Sequence, residues 1–215
     1  MFPKLDEPTA ARAQRALARA DERLAGVIRR VGVCPLRGKG RPYAYLLRSI
    51  LYQQLAGAAA AAIEGRFLAL FGGRTPRPEE LLAMRRDRLR GAGLSRSKVE
   101  AVRAVAEAVR SGQVREKQLW YLDDASVVET LVQIRGVGEW TAHMLLMSSL
   151  GRPDVLPVGD YGVRKGAQLL YDLPELPRAR ELEALTANWR PWRSVGSWYL
   201  WRHPEILQSR EAVSS

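Results

Sequence analysis

The chain has one cysteine, Cys34, and two histidines, His143 and His203. A single thiol closes no disulfide within the chain and cannot assemble the set of cysteines that holds an iron–sulfur cluster. Two histidines without partner cysteines give no zinc-ligand spacing. Alternation of apolar and polar residues, the mark of a half-buried strand, does not persist over any useful length. The longest apolar stretch, Leu55 to Ile63, is too short and too rich in alanine to span a bilayer. Met1-Phe2-Pro3-Lys4-Leu5-Asp6-Glu7 lacks the apolar region of a secretory signal. No phosphate-binding loop or dinucleotide fingerprint occurs. The expectation is a soluble, cytoplasmic protein that does not engage a membrane.

What is abundant is positive charge. Against 23 acidic residues stand 34 lysines and arginines, giving a net charge of +11 and a pI near 10.4 over 215 residues. Such an excess favours a polyanionic partner. The basic residues are interleaved with acidic ones, which suits a folded domain with a basic face better than a disordered basic tail.

Nearly every segment has helical periodicity. Pro8 to Arg30 places Leu17, Leu24, Ile28 and Val31 on one face and predicts a single amphipathic helix. Gly32 to Arg41 is a loop, and Pro42 to Leu55 is a helix. Gly57 interrupts, and the small residues from Ala58 to Ala62 would let two helices pack closely. Pro78 opens a short helix ending near Met84. Leu89 to Gly93 is expected to turn. Ser95 or Ser97 caps a helix running to Val109 and stopping at Gly112. Ser126-Val127-Val128-Glu129 is a capping box that starts a helix at Val127. Glu139 to Leu150 is apolar on most sides and is expected in the core. A loop spans Gly151 to Gly159, and helices follow at Tyr161–Leu170, Arg178–Trp189 and Pro191–His203, with residues 204–215 frayed. The prediction is an all-α fold of about ten helices forming one domain over 1–215.

The most informative stretch is Leu131-Val132-Gln133-Ile134-Arg135-Gly136-Val137-Gly138-Glu139-Trp140-Thr141-Ala142. An apolar run ends at a Gly-x-Gly turn and a strongly apolar helix begins, a helix-hairpin-helix over 127–150. Gly136 and Gly138 can take positive φ without a Cβ penalty. They also bare the amides of Gly138, Glu139 and Trp140, with Thr141 in the same first turn, and amides at a positive helix end bind anions such as a DNA phosphate. Many ordinary helix corners also turn on glycine, so the hairpin alone leaves both readings open.

Further blocks follow in order: Leu156-Pro157-Val158-Gly159-Asp160-Tyr161, then Trp189-Arg190-Pro191-Trp192-Arg193-Ser194, ending in Trp201. Upstream stand Ile50-Leu51-Tyr52-Gln53-Gln54-Leu55 and Gly93-Leu94-Ser95-Arg96-Ser97-Lys98. Together, over roughly residues 40 to 203, these blocks resemble the helix-hairpin-helix (HhH-GPD) DNA glycosylases of the 3-methyladenine II type. Some members carry an extra N-terminal β-domain, and this chain resembles the compact form. The resemblance implies two helical lobes with a cleft between them, and base-excision repair of alkylated purines in double-stranded DNA by a monomer that leaves an abasic site. A hairpin module that only grips DNA is the alternative, and Asp160 separates the two, since binding alone needs no buried carboxylate.

By resemblance Asp160 occupies the family's catalytic aspartate position. It also precedes a helix, where aspartate is a common N-cap, and the two roles are compatible. Arg164 and Lys165 follow in the first turn, where the helix dipole disfavours cations, so a nearby phosphate or the carboxylate itself is expected. By resemblance Trp140 and Trp201 wall the base pocket, and Met144 stands where better-known members have an aromatic. An indole face attracts a cationic base. Bifunctional relatives carry a nucleophilic lysine at position 140, and tryptophan cannot form an imine, so monofunctional chemistry is expected. Gln54, with Leu55 as second choice, maps to the wedge that fills the gap left by an extruded base. Arg193 completes the expected DNA contacts. No cofactor is required by this reading. The resemblance places Na+ or K+ on the main-chain carbonyls of Val132, Ile134 and Val137.

Overall fold

The structure, a computed structural model, describes residues 4–55 and 57–213, with side chains described as far as Pro204. Twelve α-helices and no strand occur among the described residues. They divide into two compact units: Gly40–Leu145, and the N-terminal residues through Lys39 together with those from Leu146 onward. No helix among the described residues is long and apolar enough to cross a membrane.

The N-terminal segment forms α1 (Glu7–Ala20) and α2 (Glu22–Val31), where the periodicity predicts one helix. The break is at Asp21, in extended conformation with φ −146° and ψ 108°. One Asp21 carboxylate oxygen accepts the Leu24 amide at 2.9 Å, and the other accepts Trp189 Nε1–H at 2.9 Å and the Tyr171 hydroxyl. Such a cap contributes about 1 kcal/mol, and the aromatic donors anchor the joint. The apolar stripe runs through the break, with Leu17, Leu24 and Ile28 all buried, which is why the sequence reads as continuous.

The first unit comprises α3 (Pro42–Tyr52), α4 (Gly57–Ala69), α5 (Pro78–Ala83), α6 (Arg86–Gly91), α7 (Arg96–Arg110), α8 (Asp124–Val132) and α9 (Glu139–Leu145). Its centre is α7, which packs on α3 and α5 and buries Val99, Val102, Val105 and Ala106. Several expectations need correction. The alanine run of α4 does not mediate close packing: Ala58, Ala59, Ala61 and Ala62 are exposed, and Ala60 and Phe67 face inward. The expected turn at Leu89–Gly93 lies mostly within α6, which buried Leu89 anchors. Ser95, not Ser97, caps α7. The helix expected from Val127 starts at Asp124, because Asp123 accepts the Ser126 amide at 2.7 Å and takes the cap before Ser126 can.

The second unit continues after Leu145 with a π-helical turn, Leu146–Leu150, so the helix expected to Leu150 is α-helical only to Leu145. Then come α10 (Tyr161–Leu170), α11 (Ala179–Leu185), a 3₁₀ turn at Ala187–Trp189 and α12 (Arg193–Val213). The backbone of α12 is helical beyond the expected end at His203. For the expected frayed tail, the side chains past Pro204 and residues 214–215 lie outside the described residues. Leu17, Leu24, Ile28, Val163, Ala167, Trp189, Tyr199 and Leu200 share one core with Cys34, whose thiol burial pushes up to about 11. Each fully buried leucine contributes roughly 1.5–3 kcal/mol by leaving water. Main-chain bonds stitch this unit from distant segments: Leu5 N–H to the Gly151 carbonyl at 2.7 Å, and Gly38 N–H to the Leu5 carbonyl at 3.2 Å.

Candidate active site

The hairpin lies in the first unit between α8 and α9. The Ile134 amide closes on the Leu131 carbonyl and the Val137 amide on the Ile134 carbonyl, both at 3.0 Å. Ala142 N–H reaches the Gly138 carbonyl at 3.1 Å, the first helical bond of α9, so the amides of Glu139, Trp140 and Thr141 belong to its opening turn. The two glycines are not equivalent, as the sequence suggests they are. Gly136 has φ +88°, and a Cβ there would lie 2.4 Å from the Ala101 Cβ. Gly138 is outside the positive-φ region, and a Cβ there would meet nothing within 4 Å.

The loop after α3 belongs to the same unit. Gln54 sits in the left-handed region at φ +57° and is exposed, and Leu55 is 40% exposed. A non-glycine residue held there is strained, and such strain collects at functional tips. Gln53, a neighbour with no role expected from the sequence, donates from Nε2 to the Gly136 carbonyl at 3.0 Å. Lys98 Nζ donates to the Leu51 carbonyl at 2.7 Å and closes the end of α3. Partial burial lowers its pKa. On α9, Trp140 is 47% exposed while Met144, one turn on, is buried. Thr141 is buried too, so its side chain is withdrawn from solvent, whereas Glu139 is exposed.

Asp160 lies in the second unit, buried at the start of α10. Its Oδ1 accepts two hydrogen bonds, each at 2.8 Å: the Val163 amide, which makes it the N-cap, and the Trp201 indole Nε1–H from α12. Cap and indole therefore share one oxygen. The preceding loop is fixed by buried Ser194, which donates from Oγ to the Arg152 carbonyl at 2.7 Å and accepts the Val155 amide at 2.9 Å. Arg193, one of the DNA contacts expected from the sequence, has a carboxylate partner within the chain. It grips Asp154 through Nε at 2.8 Å and through a second nitrogen at 2.9 Å, and its side chain is 13% exposed. The cations after Asp160 also have local partners: Arg164 Nε bonds the Pro177 carbonyl and Lys165 Nζ bonds Gln168, both at 2.9 Å. These contacts account for their place in the first turn without a phosphate.

Sequence reasoning missed Gln53 and Ser194, which nothing local distinguishes from their neighbours. It also missed the pair Gly162 and Gly166, which does carry a signal: two glycines four apart inside a helix each cost about 0.5–1 kcal/mol against alanine and so need a packing reason. Among the described residues no group of three or more His, Cys, Asp or Glu could hold a metal ion.

The family model for HhH-GPD superfamily base excision DNA repair proteins matches residues 47–191, a span that includes the hairpin, the loop after α3 and Asp160. The chain belongs to the HhH-GPD superfamily. It is 35% identical, over 81% of its length and 78% of the relative's, to DNA-3-methyladenine glycosylase 1 of Schizosaccharomyces pombe. Its HhH-GPD fold superposes on the solved S. pombe 3-methyladenine DNA glycosylase Mag1 in complex with abasic DNA with a TM-score of 0.81, at 33% identity and covering 89% of this chain and 95% of that one. For the DNA-3-methyladenine glycosidase of Bacillus halodurans the TM-score is 0.77 at 40% identity, with 87% and 86% covered.

Proposed function

We propose that this HhH-GPD protein is a monofunctional DNA glycosylase that flips alkylated purines out of duplex DNA and hydrolyses their N-glycosidic bonds. The observation that carries the reading is the buried Asp160 carboxylate, held by two hydrogen bonds; the family resemblance matches it to the catalytic aspartate. A module that only grips DNA would use it as a helix cap and nothing more.

Breaking the bond between C1′ and the purine nitrogen sends the electron pair to the leaving base and builds positive charge on the sugar. A carboxylate already fixed by the protein stabilises that charge without reorganising. Water then adds to C1′, and Asp160 takes its proton. A purine alkylated on a ring nitrogen is already cationic and leaves as a neutral molecule, so this reading assigns no general acid. Trp140, about half exposed, suits such a base, since a cation over an indole gains roughly 0.5–2 kcal/mol. Tryptophan offers no amine, so no imine to the sugar forms. Gln54 or Leu55 fills the gap in the stack, and the hairpin amides hold a phosphate.

The carbonyls of Val132, Ile134 and Val137 fit a monovalent cation. They are oxygen donors at the end of α8 and in the turn after it, and the Ile134 oxygen, which receives the Val137 amide, keeps a second lone pair. Na+ or K+ held there would add positive charge beside the bound phosphate. The protein is expected to act as a monomer within the cell.

Incubation with methylated duplex DNA and chromatography of the released bases tests the proposal. Free methylpurines are expected, with the strand intact until alkali is added and no adduct trapped by borohydride. Absence of base release would leave only the DNA-gripping role, and a trapped adduct would refute the monofunctional mechanism.

A further inference from the structure

Asp160 and Trp201 meet because α10 and α12 pack unusually closely. Two glycines on α10, one turn apart, permit this. At Gly166 a Cβ would lie 2.1 Å from the Leu200 carbonyl oxygen of α12 and 2.7 Å from its carbon. In an unbroken helix that carbonyl accepts the amide four residues on, but that residue is Pro204, which has none. That carbonyl faces the bare Cα of Gly166. The contact is backbone against backbone and cannot be relieved by a rotamer change.

Gly162 differs. A Cβ there would lie 2.9 Å from Trp201 Cδ1 and 3.3 Å from Nε1, and 3.2 Å from Asp160 Oδ1. These three nearest atoms all belong to the two side chains that share the carboxylate hydrogen bond. The missing methyl leaves the space in which the five-membered ring of the indole lies while its N–H points at Oδ1, 2.8 Å away. Glycine also weakens α10 as a helix, so some gain must offset its presence.

We infer that Gly162 is a positioning residue for glycosidic-bond cleavage: its absent side chain seats the Trp201 indole on Asp160 and thereby fixes the plane of the carboxylate. The inference rests on Asp160 being the carboxylate that faces the sugar. One donor from the backbone and one from an indole, converging on one oxygen, stop the carboxylate from rotating about its Cβ–Cγ bond. A methyl at 162 would push the ring aside, remove the second donor and leave the cap in place. The carboxylate would still be present but would no longer be aimed, and misplacement on the ångström scale is costly for a reacting group.

Single-turnover release of methylpurine from a methylated duplex is to be compared for the wild type, Asp160→Asn, Gly162→Ala, Trp201→Phe and the double variant Gly162→Ala/Trp201→Phe, with a melting curve and the affinity for an abasic duplex for each. Gly162→Ala is expected to lose roughly ten- to a hundredfold in rate, with affinity and melting point close to wild type. In the Trp201→Phe background it should cost little more, because phenylalanine has already lost the N–H whose bond to Asp160 the methyl would break. Wild-type rates for Gly162→Ala, a loss that adds in full to that of Trp201→Phe, or a loss matched by a fall in melting point would each overturn the inference. Should Asp160→Asn excise normally, the assignment of Asp160 falls and the inference with it. If Asp160→Asn is impaired and Gly162→Ala is not, the inference alone fails.

Discussion

The Gln53 side-chain amide donates to the Gly136 carbonyl at 3.0 Å and joins the loop after α3 to the hairpin. Gln54, the next residue, is the strained tip of that loop. A duplex phosphate held by the hairpin would therefore meet Gln54 and Leu55 in a fixed register. Gln53→Ala removes one hydrogen bond, worth about 1 kcal/mol. It is expected to slow base extrusion roughly three- to tenfold, followed by 2-aminopurine fluorescence beside the lesion, with little change in duplex affinity. Extrusion at the wild-type rate would mean that the bond does not set the register.

The two hairpin glycines should respond differently to alanine. At Gly136 the new methyl meets Ala101 and the backbone lies at positive φ, which costs about 1–2 kcal/mol before the clash is counted. Gly136→Ala should lower the melting point. At Gly138 nothing in the chain opposes a methyl, so Gly138→Ala should melt as wild type. If DNA approaches there, the same variant should lose affinity for all duplex sequences alike, because a contact to phosphate carries no sequence information. Titration at several salt concentrations is the measurement. Unchanged affinity for Gly138→Ala would remove this glycine from the interface.

Asp160→Asn separates charge from cap. Asparagine keeps the oxygen that accepts both the Val163 amide and the Trp201 indole, and it caps helices about as well as aspartate. The melting point should hold. The excision rate should fall by at least about 10²–10³, the usual cost of one lost electrostatic contact in a transition state. Near-normal excision with a lowered melting point would reduce Asp160 to a cap.

Both histidines should make the fold sensitive to acid. Burial lowers the pKa of His143, against the opposing pull of Glu139 and Asp124. Burial and Arg30 lower that of His203, against the Leu169 carbonyl and Asp172. With folded values below the unfolded one, near 6.5, the unfolded chain binds more protons in the window between them. Stability is thus complete above about pH 6.5 and declines as pH falls from there through the folded values. Melting curves from pH 7.5 to 5 should show this decline, and it should be shallower in His203→Gln. A slope unaffected by that substitution would place the acid sensitivity elsewhere.

Much of this molecule was legible in its sequence, wherever the signal was local. The bounds of α10, the hairpin at Gly136-Val137-Gly138 and the cap at Asp160 follow from periodicity and side-chain chemistry. The misses share one cause, which is that the deciding partner is remote in the chain. Asp21 breaks a helix because Trp189 and Tyr171 reach it. Arg193 looks like a phosphate ligand until Asp154 is seen beneath it. Gly136 differs from Gly138 because of Ala101, and Gly162 matters because of Trp201. The family resemblance supplied the candidate site, and the structure supplied how its parts are held.

The division of the chain into units has a consequence for its synthesis. The unit carrying the hairpin is one unbroken stretch, Gly40–Leu145, and has all its residues once that stretch clears the ribosome. The other unit is split, and its N-terminal helices share a core with residues as late as Tyr199 and Leu200. Leu5 waits for Gly151, and Asp21 for Tyr171 and Trp189. The nascent chain therefore completes the unit that carries the hairpin before the unit that carries the carboxylate. A polypeptide stalled short of residue 200 would carry the hairpin without a seated Asp160.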